Sequence, residues 1–481
     1  MMTQRQTLIR PFSRFLILIV LLGLLLTACG PAASTTPDPT SEATDVVETP
    51  EVTSTLQPTA TPAQPDYLSV DEADLAGVVV RVVHPWVGEM ADELASQAMQ
   101  FSLSNEWDIW VEMDPMGSES MVVEGLQADV IQQTLPGIVI SHPYWLESLN
   151  GRFPTVNLAD YANDPAWGLS AEAQADIPEV FLSPYLSDGQ LTGLPIAPQA
   201  TLLFYNQTWL QELGLSSFPE SAADLEKALC DAAFENNSDE VLRNDGTGGW
   251  LVNLAPNVLL SWFTAFGGQL DANTLPEFNN EAGQEAFGFL EEIRVKGCAW
   301  ESVNTDPYEY FTNRYAVLFA GDTSQIPTLQ SWMASASSED LWTVTPFVGT
   351  SDSPVLVDGP AMMMAETTPE IQMASWLFMK YLLSPDVQVK LVQAGYSLPV
   401  RASAMDQLTD FAGQNPVWAQ AYQYALDAEA APVSGDWGIK QWVLQDAIHR
   451  LLQLDVDDEI KPADVLQEVD AALEEMEGTR P

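Results

Sequence analysis

An alternation of two periodicities between residues 78 and 145 narrows the fold more than any other feature. Residues 78–83 form a β-branched run suited to a buried strand, and it stops at His84-Pro85-Trp86. A helix is expected over 89–103, with Met90, Leu94, Ala98 and Phe101 on one face. Residues 109–113 read as a second strand, 120–133 as a second helix, and 137–140 as a third strand running into His142-Pro143-Tyr144-Trp145. Strand, helix, strand, helix, strand is the pattern of a parallel α/β sheet. Ligands of such sheets sit beyond the carboxyl ends of the strands, where Trp86, Tyr144 and Trp145 fall.

The first 66 residues do not belong to that pattern. Arg5, Arg10 and Arg14 precede an apolar run over 15–26, which is shorter than the roughly 20 residues a spanning helix needs. The run ends in Leu26-Thr27-Ala28-Cys29, which resembles a bacterial lipobox; a plain signal peptide that happens to contain a cysteine is the alternative. Under the lipobox reading residues 1–28 are a signal peptide and the Cys29 thiol takes a lipid. Residues 29–66 then form a lipidated stalk rich in Pro, Thr, Ser, Ala and Glu, with too little apolar surface to offset the entropy of ordering. The expected location is the outer face of a cell membrane.

Residues 67–481 are too many for one ordinary core, so two lobes are expected. The chain has 68 acidic against 17 basic residues, and loss of residues 1–28, with three arginines and no acids, takes the net charge from −51 to −54. That field repels nucleic acid and anionic ligands, and it leaves the acyl chain as the membrane link. The acidity is equally what a solvated surface in a salty or acidic habitat requires. Apart from Cys29 the cysteines are Cys230 and Cys298, an even pair that in an oxidising compartment reads as one disulfide. Its loop of about 70 residues corresponds to roughly 4 kcal/mol in the chain-entropy treatment. His84, His142 and His449 show no ligand spacing, so neither a metal nor any other cofactor is expected.

A second α/β segment follows Gly193-Leu194-Pro195. A strand is expected over 201–205, a short helix over 208–213 closed by Gly214, and a helix N-capped by Ser221. An apolar helix should cover 258–266, and 308–318 reads as a helix feeding a short strand. Thr368 before Pro369, and Ser384 before Pro385, each open a further helix.

These pieces carry a resemblance. Leu203-Phe204-Tyr205-Asn206, then Leu213-Gly214-Leu215, then Phe218-Pro219-Glu220-Ser221 are similar to the central stretch of bacterial extracellular solute-binding proteins of the maltose-binding type. Ala265-Phe266-Gly267-Gly268, the run from Tyr308 through Phe311, Asn313 and Ala316 to Gly321, and the two helices ending at Ser397-Leu398-Pro399 follow in that family's order. The resemblance implies an α/β, two-lobed, type II periplasmic-binding fold with a ligand cleft between the lobes. Lobe one would be 67–198 plus 361–410, and lobe two 199–360 plus 411–481, with candidate hinges at 196–201 and 357–362. It further implies no enzymatic activity, a monomer, and an ABC transporter permease as partner.

Pyranose faces stack on indole and phenol rings while sugar hydroxyls need donors and acceptors. Among fifteen tryptophans, Trp86, Trp145 and Trp437, with Tyr144, lie at strand ends or loops and are the candidate platforms; Trp262, beside Leu259, Leu260 and Phe263, is as well placed for core. Glu89, His84, His142, Asp322 and Asp436 are the polar candidates near them, each equally an ordinary solvated residue. Arginines are scarce at these places, so a neutral mono- or oligosaccharide is the expected solute, with a cationic or peptide ligand, or a sensor or adhesin role, as alternatives. A secreted glycoside hydrolase is disfavoured, because nothing marks the pair of carboxyls that chemistry requires.

Overall fold

A computed structural model describes residues 68–478 apart from 148, 150, 188, 271–275, 303–305, 352–353, 434–436 and 454–460. Cys29, the signal peptide and the stalk lie outside the described residues, as does Asp436. Strands β1 (Val79–His84), β2 (Trp110–Pro115) and β3 (Ile138–Ser141) begin the fold, and β4 (Leu186–Ser187) with β5 (Gln190–Leu191) makes a short hairpin. Then come β6 (Leu194–Pro195), β7 (Gln199–Asn206), β8 (Gly248–Leu251), β9 (Ala299–Trp300) and β10 (Ala316–Asp322). The series closes with β11 (Trp342–Thr345), β12 (Leu356–Asp358), β13 (Ala361–Met364) and β14 (Glu429–Ala430).

Two larger sheets result. The first has the order β2-β1-β3-β13-β6, with β1 parallel to both β2 and β3, and β13 antiparallel to β3 and β6. The second has the order β14-β12-β7-β10-β8-β9, with β11 also paired to β7. Both are mixed sheets. Strands β1, β2 and β3 run parallel, as the strand and helix alternation implies, whereas β13 in the first sheet and β7 in the second pair antiparallel with their neighbours. The expectation of a parallel sheet therefore holds only for that first segment. Helices Gly88–Ser104 and Glu119–Gln132 follow β1 and β2 within one residue or a few of where their periodicity places them. The Ser118 and Ser221 hydroxyls accept from Met121 and Asp224 amides and cap their helices, and Thr368 does the same for Ile371.

One expected element differs. The helix after Pro307 ends at Thr312 and strand β10 already begins at Ala316, where a helix through 318 was expected. Arg314 takes a left-handed φ of 58°, which ends the helix, and Leu318 to Asp322 then pair antiparallel with Tyr205 to Thr201 of β7. The apolar periodicity of the segment serves a fully buried strand equally well.

The chain crosses from the first sheet to the second at residues 196–198 and returns at 359–360. The two crossings touch: a Cβ on Gly359 would lie 2.8 Å from the Pro198 Cα, so only glycine fits there. The Leu398 amide donates to the Pro198 carbonyl at 2.7 Å and the Tyr185 hydroxyl to the Gly359 carbonyl at 2.9 Å, which ties both crossings to flanking segments. Ala404 and Leu408 are buried in one cluster with Phe204, Phe319 and Trp418, on the second sheet. Cys230 and Cys298 are joined by a disulfide that fastens helix Ala222–Ser238 to the turn before β9. Among the described residues no helix is long and apolar enough to cross a membrane.

Candidate ligand-binding cleft

The carboxyl ends of strands from both sheets meet around one cavity of about 760 Å³. Trp86, Val87 and Glu89 reach it from the end of β1, and His142 and Tyr144 from the end of β3. Asn253 follows β8, Asp322 ends β10, and Asp358 ends β12 at the crossing. Trp332, on helix Ile326–Ser335, supplies an indole from the second-sheet side and is 38% exposed. The volume lies within the range of about 300–1,000 Å³ usual for small-molecule sites.

His142 is the electrostatic centre of this cavity. Glu119 stands in the first turn of its helix, where the helix N-terminus favours a carboxylate, and its Oε1 lies 2.7 Å from His142 Nδ1. The Ser141 hydroxyl donates to the other oxygen of Glu119, which fixes the carboxylate at the end of β3. His142 Nε2 faces Asp358 Oδ1 at 3.5 Å. Burial alone would push the imidazole down, but the Asp358 carboxylate, the hydrogen bond and charge of Glu119, and Asp322 together carry it up to about 9. At neutral pH the ring is therefore a cation.

The carboxylates are themselves organised. Asp358 accepts from Asn257 Nδ2 at 2.7 Å and from the Gly359 amide at 2.6 Å. Asp322 caps the turn Thr323–Gln325 through its Oδ1, which takes the Ser324 amide at 2.9 Å and the Ser324 hydroxyl at 2.5 Å. Burial raises the Asp322 carboxyl above the usual range, with Asp358 adding to the rise while the Ser324 bonds and His142 oppose it. Burial, then Asp358 and Glu119, also push the Tyr144 phenol up, so it remains a neutral donor. The described residues lining the cavity include no lysine or arginine.

Of the residues singled out in the sequence, Trp86, Glu89, His142, Tyr144 and Asp322 line this one cavity. Four aromatic or histidine positions do not. Trp262 is fully buried against Trp250, Phe289 and Phe347, with ring centroids 5.7, 5.6 and 5.0 Å away. Trp437 is 2% exposed and sits in the apolar cluster behind Tyr144. It opens helix Trp437–Leu451 and points inward, while Gln441, one turn later, reaches the cavity. Trp145 packs between the cluster containing Val139 and Leu149 and the one containing Trp437, and does not line the cavity, because consecutive residues on helix Pro143–Glu147 face different sides. His84 is 1% exposed and packs behind Trp86, with its Nδ1 unpartnered among the described residues.

The sequence reading did not single out Glu119, Asp358, Asn257 or Trp332. Asp358 lay inside the segment read as a hinge, and Glu119 stood at a helix start after a strand, so both carried a usable signal. Trp332 carried none, since an indole on an amphipathic helix reads as core.

A sequence profile described as bacterial extracellular solute-binding protein matches residues 96–424, more than half of the chain. Solved structures share the fold across nearly their whole length. The sugar-binding protein MalE from the phytopathogen Xanthomonas citri is 20% identical, with TM-score 0.67, covering 83% of this chain and 98% of that one. The cyclic α-maltosyl-1,6-maltose binding protein from Arthrobacter globiformis is 17% identical, with TM-score 0.68 and coverage of 82% and 98%. UgpB from Mycobacterium tuberculosis, in complex with glycerophosphocholine, is 15% identical, with TM-score 0.69 and coverage of 84% and 99%. No curated protein matches the sequence.

Proposed function

The chain belongs to the bacterial extracellular solute-binding proteins, which bind their solutes and do not transform them, and from that premise we propose that it captures a non-anionic saccharide and hands it to an ABC importer. The observation that carries this reading is the composition of the cavity: two indoles from opposite sides, a ring of carboxylate, amide and hydroxyl groups, and no lysine or arginine among its described lining residues. Indole faces take the C–H side of a pyranose, and the polar ring takes its hydroxyls. A phosphate or carboxylate would meet Glu89, Glu119, Asp322 and Asp358 with His142 as the sole cation among the described lining residues, which sets this cleft against an anionic solute.

Capture works by closure. The solute touches Trp86 and His142 from one side and Asp322 and Trp332 from the other, so it binds the closed form better than the open one and shifts the balance between them. The crossings at 196–198 and 359–360 are the segments that absorb the dihedral change. The acyl group on Cys29 holds the protein at the outer face of the membrane, and the segment to residue 66 lets the folded part reach the permease as a monomer.

A thermal-shift screen of the full-length chain against mono- and oligosaccharides, sugar phosphates, amino acids and short peptides tests the solute class. A rise in Tm with one saccharide series and none with the sugar phosphates is the expected result, because a ligand of the native state stabilises it by mass action. A rise only with peptides or sugar phosphates sinks the proposal. For the anchor, Cys29→Ala should move the protein from the membrane fraction to the medium; an unchanged distribution rules the acyl link out.

A further inference from the structure

We infer that the solute of this cleft carries an ammonium group on its polyhydroxylated frame, as an amino sugar or aminocyclitol does. The inference rests on the saccharide reading and narrows it. Four carboxylates line the cavity, Glu89, Glu119, Asp322 and Asp358, and the imidazolium of His142 is the cation among its described residues. Glu89 is exposed, but Glu119, Asp322 and Asp358 are partly buried, and with the ring protonated they still leave an excess of negative charge where burial makes uncompensated charge costly.

Two partly buried carboxylates elsewhere, Asp340 and Asp176, are matched by cations within the chain. The Arg314 guanidinium bridges Glu212 and Asp340 at 2.6 Å each, and Arg401 holds Asp176 at 2.8 Å. In the cleft the matching stops halfway. Glu119 and Asp358 share His142, whereas both bonds that Asp322 receives from Ser324 fall on Oδ1, which leaves Oδ2 for a ligand. The raised Asp322 carboxyl is in keeping with a charge awaiting its partner. Among the described residues no group of three or more His, Cys, Asp or Glu is placed to hold a metal ion.

The aromatic walls fit the same chemistry. Trp86 and Trp332 come from opposite sides of the cavity, and an indole face attracts an ammonium as well as a C–H surface. A bare diamine would use the charge but not the remaining hydrogen-bonding capacity of Asn257, Gln199, Thr201 and Gln441. A saccharide bearing an amine uses both.

The test is isothermal titration of the full-length chain with matched probes that differ in the nitrogen. One set is fully deacetylated chito-oligosaccharides against cello-oligosaccharides of equal length, and an α-linked set is kanamycin against maltotriose, with spermidine as the sugar-free amine. At least one amine-bearing sugar should bind roughly ten- to a hundredfold tighter than its neutral match, the range of one charge-assisted hydrogen bond. That preference should shrink as ionic strength rises. A neutral sugar that binds as tightly as its amine match overturns the ammonium while leaving the saccharide reading intact. Spermidine binding without any sugar overturns both. Asp322→Asn, which retains the capping oxygen, should reduce the preference for the amine; an undiminished preference in a folded variant removes Asp322 from the assignment.

Discussion

His84 ends β1 and His142 directly follows its neighbour β3 in the same sheet, and the two meet opposite fates. His84 turns into the packing behind Trp86, where burial lowers its pKa to about 4 against a weak pull from Asp114. His142 turns into the cleft, where burial is outweighed by Asp358, Glu119 and Asp322 and the pKa stands at about 9. The tryptophans divide the same way, with Trp262 in the second-sheet core and Trp86 at the cavity. Position at a strand end therefore does not make a residue functional; the side on which it emerges does.

The largest expected effect breaks the core half of this comparison. Trp262→Ala removes an indole packed edge-on against Phe347 and Trp250 and should cost about 3–5 kcal/mol of stability, read as a fall in the urea midpoint. Trp437→Ala belongs with it and should also act through folding, since that indole is buried in the same cluster. A Trp437→Ala protein of unchanged stability but weakened saccharide binding would return that residue to the cleft.

The histidines sharpen the comparison through pH. The folded pKa of His142 is raised above its unfolded value of 6.5, so its contribution is complete below that pH and lost as pH climbs through about 9. His84 has a lowered folded pKa, so its neutral form contributes above pH 6.5 and that contribution is lost as pH falls through about 4. Each effect should be on the order of 1–3 kcal/mol. Urea melts from pH 4 to 10 of the wild type, with His142→Gln and His84→Gln alongside, separate the two. Each variant should flatten only its own limb, and a His142→Gln protein that still weakens between pH 7 and 9.5 as the wild type does contradicts the charge assigned to the cleft.

On the cavity side, Trp86→Ala and Trp332→Ala should each weaken saccharide binding about tenfold, near 1.4 kcal/mol, with the Tm of the unliganded protein little changed. Affinity unchanged in both variants would remove the indole walls from the site.

Much of this division was open to sequence reasoning, and the rest was closed for a physical reason. Strand and helix alternation, capping serines and β-branched runs are local, so the first sheet and its helices follow from residues 78–145 almost as read. The turn after Arg314 was not legible, because Ala316 to Gly321 is apolar enough for a helix and becomes strand only by pairing with β7. The same holds for the site. Trp86, Glu89, His142, Tyr144 and Asp322 stand at strand ends, which a pattern locates, whereas Trp145 and Trp437 differ from them in orientation alone. Orientation is set by what packs on the far side, here Val139, Leu149 and the helices around Tyr144, and those neighbours are distant in sequence.

Tyr144 and Trp145 put that last point at its narrowest, since they are adjacent on a five-residue helix with ring centroids 6.3 Å apart. Tyr144 faces the cavity and its ring lies 5.3 Å from that of His142, so Tyr144→Phe removes a hydroxyl from the solute side without changing the packing volume. Trp145→Phe changes the packing against the clusters of Leu149 and Trp437 and removes nothing that lines the cavity. Affinity should drop severalfold in the first variant, the usual net worth of one hydrogen bond being about 1 kcal/mol. In the second it should stay within roughly twofold, the ~0.5 kcal/mol expected of a change away from the contact. The reverse ranking would mean that the short helix presents its other face to the cleft when the solute is bound, and the boundary between core and cavity would then have to be redrawn along that helix.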